Sequence, residues 1–309
     1  MPTGRLAPSP TGSQHVGNAR TYLIAWLAAR AAGGSVRLRI EDIDVWRNRP
    51  AAAEQAVDDL RWLGLDFDGE PVTQSRNLPQ HEAALEELKR LELVYPCTCS
   101  RSDIASAASA PHAEHEAPTY PGTCARRTAA DADRLDRPFA WRFRVSDSPA
   151  FVDEFLGETR VDLTQAGGDF VVWRSLKVPA YQLAVAVDDA AAGVTQVVRG
   201  DDLVSSTPRQ LLIYRALGLT PPTFAHVPLV VGEDGRRLAK RHGDTRVAAL
   251  RAAGVRPEAL VGLLAWSCGW LDRPEPVAPR DLLPRFTFAT IPRDPFVLTA
   301  AMVKNLMPS

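Results

Sequence analysis

Three stretches of this 309-residue chain carry residue types that could do chemistry. The first is RRLAKRHGDT, Arg236 to Thr245, in which five of the first seven residues are basic or histidine. Lys and Arg number 36 against 37 Asp and Glu, so the whole-molecule field attracts no polyanion and a local patch would have to do so. Such a run reads either as a solvated turn or as a phosphate-binding loop. The second stretch is the C-x-C of Cys97 and Cys99 in CTCS, followed by Cys124 in YPGTC. Thiols in this pattern suit zinc, which takes four ligands in a closed structural site. The fourth could be His112, His115 or Tyr120, and ligand chemistry alone favours a histidine; Cys268 lies in an apolar run and reads as core. The third stretch is PSPTGSQHVGNART, a Gly- and Pro-containing loop between a predicted strand and helix. Helix N-termini favour phosphates, and parallel sheets bind ligands beyond the carboxyl ends of their strands. His15 falls at that helix start, and Gly17 leaves room for close approach. The stretch matches neither the P-loop nor the dinucleotide fingerprint, and a lone loop histidine is more often structural.

Charged residues also collect at predicted strand ends. Arg5, Glu41, Arg199 and the acids of RGDD all fall there. An arginine on a carboxylate and a glutamate on an ammonium would hold the two ends of a zwitterion. Any one of these residues alone could be an ordinary polar strand end; several together favour a ligand.

The elements that must position these residues read as an α/β fold, a doubly wound parallel sheet with an inserted lobe and a small helical C-terminal piece. GRLAP, SVRLRIEDID, YQLAVAVDD, VTQVVRGDD and FAHVPLVV are predicted strands. NARTYLIAWLAARAAGG, RPAAAEQAVDDLRWLGL, HEAALEELKRLELVY and TPRQLLIYRALGL are predicted helices, the last with Thr207 as N-cap and Pro208 in the first turn. Periodicity fails after Pro96, so residues 96–167 form the insert, with PFAWRFRV and RVDLT as its strand candidates. The two halves of the wound sheet then span 1–95 and 168–245, and RVAALRAAG and PEALVGLLAWSCGW begin a helical piece over 246–309. No apolar run approaches the roughly 20 residues of a membrane span, and the N-terminus lacks an export pattern. A cytoplasmic protein with reduced thiols is expected.

Taken in order, RLAPSPTGSQHVGNART, LRIEDID, RWLGLDFD, YQLAVAVDD, VTQVVRGDDLVSSTPRQ and RRLAKRHGDT resemble the class I glutamyl-tRNA synthetases over about residues 4 to 270. HVGN resembles the HIGH signature, and RLAKR, Arg237 to Arg241, the KMSKS signature. The resemblance implies a Rossmann-like catalytic domain and ATP phosphates on the basic loop. It also implies a glutamate site at Arg5, Leu6, Ala7, Pro8, Ser9, Glu41, Tyr181 and Arg199. His15, Gly17, Asn18, Arg237 and Lys240 would serve ATP, with His15 and Lys240 catalytic and Mg²⁺ arriving with the nucleotide. Asn18 replaces the last His of HIGH, a position that varies in glutamyl enzymes; Arg237 replaces the first Lys of KMSKS and Ala239 its Ser, and the lost hydroxyl puts loop closure in doubt more than activity. Full glutamyl enzymes continue into an anticodon-binding body, and this sequence stops at Ser309. It is therefore similar to the truncated glutamyl-queuosine tRNA(Asp) synthetases, whose C-x-C, Tyr, Cys lobe implies one structural zinc on Cys97, Cys99, Tyr120 and Cys124. The implied activity is tRNA-independent formation of glutamyl-adenylate, then transfer to queuosine in the anticodon stem-loop of tRNA(Asp), by a monomer without a membrane partner. The alternatives are a truncated enzyme charging a tRNA 3′ end, a nucleotidyltransferase acting on another small acid, and a non-catalytic regulator that binds glutamate or nucleotide.

Overall fold

The structure, a computed structural model, describes residues 1–10, 14–43, 50–100, 102–104, 119–175, 177–238 and 244–308. Its first half alternates strand and helix: β1 (Thr3–Leu6), α1 (Val16–Ala31), β2 (Ser35–Ile40), α2 (Pro50–Trp62), β3 (Val72–Thr73) and α3 (Leu78–Arg90). β1, β2 and β3 form a parallel sheet in that order. Arg5 sits opposite Arg37 in register, and side chains alternate along a strand, so Arg5, Arg37 and Arg39 share one face. Gly4 and Leu6 take the other, against α1, where Gly4 lets the helix approach so closely that a Cβ would lie 2.9 Å from Ala29 Cβ. Helix α1 is buried along most of its length, which explains why its sequence is apolar nearly all round.

The chain then enters a small antiparallel sheet made of β4 (Val94–Cys97), β5 (Ala140–Phe143) and β8 (Phe170–Trp173). Between them, β6 (Phe151–Asp153) and β7 (Gly157–Thr159) form a hairpin whose first strand pairs in parallel with β10 (Thr223–Val227), and β10 pairs in parallel with β9 (Gln196–Gly200). RVDLT is not a strand. β7 ends at Thr159, and the Asp162 carboxylate turns the chain by accepting the Thr164 N–H at 2.9 Å. β9 lies against β1, with the Thr195 N–H donating to Thr3 O at 2.9 Å.

YQLAVAVDD is also not a strand. It forms α4, Tyr181–Ala191, on the opposite side of the β1–β2 sheet from α1. The residues from Leu183 to Asp189 are all buried, so Val and Ala alternate without a polar face, and periodicity cannot separate a buried strand from a buried helix. α5 (Ser206–Ala216) has Ser205 as its N-cap, two residues before the predicted Thr207, whose hydroxyl instead accepts from Arg199 Nη2 at 2.8 Å. FAHVPLVV breaks at Pro228, which has no N–H for the ladder. The chain resumes as β11 (Val230–Val231), paired with β12 (Phe296–Val297).

α6 (Val247–Ala252) and α7 (Pro257–Ser267) pack with α1, β1 and β2 in the main core. Arg20 of α1, fully buried, donates to Ser267 Oγ at 2.9 Å and to Pro228 O at 2.7 Å. One side chain thus fixes the helix behind the HVGN loop to both the strand exit and the C-terminal helices. Among the described residues no helix is long and apolar enough to cross a membrane.

Candidate functional site

The strand ends and the start of α1 surround an open cavity of about 660 Å³. Ten of the sequence-predicted residues line it: Arg5, Ala7, Ser9, His15, Gly17, Asn18, Glu41, Tyr181, Arg199 and Arg237. Leu6 points into the core instead, and Pro8 contributes its carbonyl, which accepts the Glu41 N–H at 3.0 Å. Lys240 and Ala239 lie outside the described residues, as do His112 and His115.

The floor of the cavity is a chain of alternating charges. Asp189 of α4, almost fully buried, accepts from Arg39 Nη1 and lies 3.8 Å from Arg5 Nε. Arg39 Nη2 donates to Glu41 Oε1 at 3.1 Å, and Ser9 Oγ donates to Glu41 Oε2 at 3.3 Å. Burial opposes charge on Arg39, but Asp189 and Glu41 outweigh it and hold the guanidinium ionised. Arg5 Nη1 donates to Val198 O at 3.0 Å across the two sheets. The result is a carboxylate, Glu41, and a guanidinium, Arg5, presented to one cavity from neighbouring strand ends. Tyr181 stands at the N-terminus of α4, where burial raises its phenol pKa and keeps it a neutral donor. Asp189 and Arg39 carry this arrangement, yet sequence reading did not single them out. The paired acids of AVDD were visible only as a strand end.

The other end of the cavity is built on the start of α1. His15 is the N-cap: its Nδ1 accepts the Gly17 N–H at 3.1 Å and the Asn18 N–H at 3.4 Å, while Asn18 Oδ1 accepts the His15 N–H at 3.2 Å. Asn18 therefore closes a capping box. An acceptor at Nδ1 places the neutral ring's proton on Nε2. Burial, and then the positive charge of Arg237, lower the His15 pKa. A Cβ at Gly17 would lie 3.0 Å from the imidazole, so glycine is what lets the ring fold over the helix start. Arg237 pairs with Asp202 across the cavity mouth. Tyr22, absent from the sequence reading, donates to Gln14 Oε1 at 3.0 Å and braces the loop entering α1.

A second cluster lies at the end of β4. The sulfurs of Cys97, Cys99 and Cys124 are all within 4.8 Å of one another, so the group could hold a metal ion. Cys99 and Cys124 Sγ are 3.7 Å apart, close to the roughly 3.8 Å edge of a tetrahedron with zinc–sulfur bonds of about 2.3 Å. Tyr120 joins them: its Oη accepts the Cys124 N–H at 2.8 Å and lies 3.5 Å from Cys97 Sγ. Burial, reinforced by the neighbouring thiols, pushes Cys99 up to about 11. At Cys124 burial works the same way, but the Thr98 N–H and other donors overcome it and bring the thiol to about 7.

The family profile described as "tRNA synthetases class I (E and Q), catalytic domain" matches residues 3–273. A glutamyl-Q tRNA(Asp) synthetase from Symbiobacterium thermophilum is 51% identical, over 99% of this chain and 98% of that protein. One from Rhodopirellula baltica is 49% identical over 95% of each. A glutamate–tRNA ligase from Geobacter sulfurreducens is 41% identical over 93% of this chain but 61% of its own length. Among solved structures, the glutamate-tRNA synthetase of Elizabethkingia anophelis superposes with a TM-score of 0.82 at 26% identity, covering 98% of this chain and 69% of that one.

The geometry at His15 makes a pH prediction. Its folded pKa lies below the ordinary 6.5, so the cap's contribution is complete above about pH 6.5, where the unfolded histidine is also neutral. As pH falls below that, the unfolded state takes up the proton first and the contribution declines until the folded pKa is passed. A histidine NMR titration should show a His15 midpoint below 6.5, and His15→Asn, which keeps a capping acceptor, should flatten this part of the stability–pH curve. A midpoint above 6.5 contradicts the capping geometry.

Proposed function

The chain belongs to the class I tRNA synthetases (E and Q), a family of ligases, and from that premise we propose that it activates L-glutamate with ATP and transfers it to queuosine in the anticodon of tRNA(Asp). The observation that carries the first half is that Arg5 and Glu41 line one end of a cavity whose other end is a capped helix N-terminus. Glu41 takes the substrate ammonium, and Arg5 and Arg199 take carboxylate charge, with Ser9 and Tyr181 as further donors. His15 Nε2–H and the α1 N-terminus face the nucleotide phosphates, and Arg237 leaves Asp202 to join them. Lys240 is assigned to the same phosphates by its place in RLAKR.

In this reading an oxygen of the glutamate α-carboxylate attacks the α-phosphorus of ATP. The bond from that phosphorus to the bridging oxygen breaks, and pyrophosphate leaves with the electron pair. Such chemistry depends on positioning and charge neutralisation more than on covalent participation. Mg²⁺ bound to phosphate oxygens and water supplies part of that neutralisation. A queuosine hydroxyl then attacks the adenylate carbonyl carbon, AMP leaves and the hydroxyl proton is lost. The second half of the proposal draws on the relatives: those matched over nearly their full length bear the glutamyl-Q tRNA(Asp) name, while the glutamate–tRNA ligase is matched over 61% of its own length.

The cysteine cluster fits a structural zinc, held by Cys97, Cys99 and Cys124 with Tyr120 as fourth ligand, in a lobe that contacts the RNA. Three crowded thiols resist ionising together, and a divalent cation relieves that repulsion and contributes folding energy. Metal analysis is expected to find one zinc per chain. Cys99→Ser should release it and make the lobe sensitive to proteolysis, whereas metal-free protein with an equally resistant lobe would reject the assignment.

Acceptor and mechanism are tested together. Glutamate-dependent pyrophosphate exchange is expected without any tRNA, and labelled glutamate should appear on an isolated anticodon stem-loop carrying queuosine. Labelling confined to full-length tRNA, whether or not queuosine is present, would favour charging of the 3′ end.

A further inference from the structure

Arg199 is a cation buried with uncharged partners. It donates from Nε to His226 Nε2 at 3.0 Å, from Nη1 to Gln210 Oε1 at 3.0 Å, and from Nη2 to Thr207 Oγ1 at 2.8 Å and Leu203 O at 3.5 Å. Its acidic counterpart lies one ring further back. His226 Nδ1 meets Asp153 Oδ2 at 2.6 Å, and both residues are fully buried. Because Arg199 Nε–H and the Thr207 hydroxyl, 3.1 Å away, both address Nε2, that nitrogen is the acceptor and the proton sits on Nδ1, donated to Asp153. Asp153 is held in turn: its Oδ1 accepts the N–H groups of Phe155 at 2.9 Å and Leu156 at 2.8 Å. The three residues come from adjacent strands, with His226 opposite Arg199 in the β9–β10 register. Phe224 forms the wall, its ring 5.3 Å from the guanidinium carbon and nearly parallel to the imidazole at 6.2 Å.

A direct Asp–Arg pair at this place would also orient the guanidinium, but it would neutralise it. An imidazole between them gives orientation and keeps the carboxylate out of contact. We infer that Asp153 and His226 are positioning residues that set substrate specificity: they aim Arg199 into the cavity with no carboxylate bonded to it, so that a substrate carboxylate is the first anion to contact it directly. This rests on the reading that Arg199 faces the carboxylate of glutamate. In an apolar surround that charge counts for more than in water.

The test is ATP–pyrophosphate exchange by the full-length protein at varied glutamate, with melting curves for each variant. His226→Ala is expected to raise KM for glutamate roughly ten- to a hundredfold, the factor for losing one hydrogen bond to a charged group, with kcat and KM for ATP little changed. His226→Gln, whose amide oxygen can accept from Arg199 Nε, should recover most of the loss. Asp153→Asn can present an amide N–H to Nδ1 and favour the wrong tautomer, so it too should raise KM for glutamate. Nitrogen-15 spectra of the wild-type protein should show His226 protonated at Nδ1, which no purely space-filling role requires. Protonation at Nε2 in the wild type overturns the inference whether or not any variant folds. Arg199→Ala separates the two claims. If it leaves KM for glutamate unchanged, the Arg199 assignment falls and the inference with it. If it raises KM while folded His226→Ala, His226→Gln and Asp153→Asn all keep the wild-type value, only the positioning role falls.

Discussion

A single carboxylate, Asp189, holds the site together from beneath. It is almost fully buried between Arg39 and Arg5, and Arg39 is bonded in turn to Glu41. Burying ions costs several kcal/mol each unless every one is compensated, so these four groups are interdependent. Removing one leaves the others charged in a dry place. The arrangement stands on three elements, β1, β2 and α4, and so makes the packing of the helix on the sheet a condition for the cavity's polarity. Asp188, the next residue, works in the opposite direction: it accepts from Gln74 at 2.6 Å and meets His81 at 2.8 Å, tying α4 to α3 and its approach. Two adjacent acids thus anchor one helix to both of its neighbours.

The two ends of the cavity follow different physical rules. At the floor, specificity comes from fixed charges of opposite sign within a rigid network. At the mouth the start of a capped helix, a neutral histidine and an exposed arginine meet, features suited to a large, solvated polyanion. Arg237 is exposed and its pair with Asp202 is worth little to stability, so under the proposed function a phosphate would displace Asp202 at low cost. Arg20 ties α1, which carries the mouth, to the exit of β10 at Pro228.

Much of this was legible in the sequence where pattern and position coincide. Val36, Leu38 and Ile40 alternate with Arg37, Arg39 and Glu41, and β2 is where that alternation places it, although Arg39 is buried against α4. Cys97, Cys99 and Cys124 were readable as a cluster because ligand spacing is local, and their sulfurs do converge. α4 was not readable, since burial on all sides erased the polar face that distinguishes the two periods. Asp189, Asp153 and His226 escaped notice for a different reason. Each acts through a partner 73 or 150 residues away, and a lone buried acid or histidine has no local signature until the strands that carry its partner are placed.

The claim that most depends on this network is that buried charge on α4 builds the glutamate end of the cavity and leaves the nucleotide end alone. Calorimetric titration of folded Asp189→Asn with glutamate and, separately, with ATP tests it most directly. Glutamate affinity is expected to fall roughly tenfold to a hundredfold, the scale of one charge-assisted interaction, with ATP affinity unchanged. Wild-type glutamate affinity in a folded Asp189→Asn protein, or an equal loss for both ligands, would contradict it.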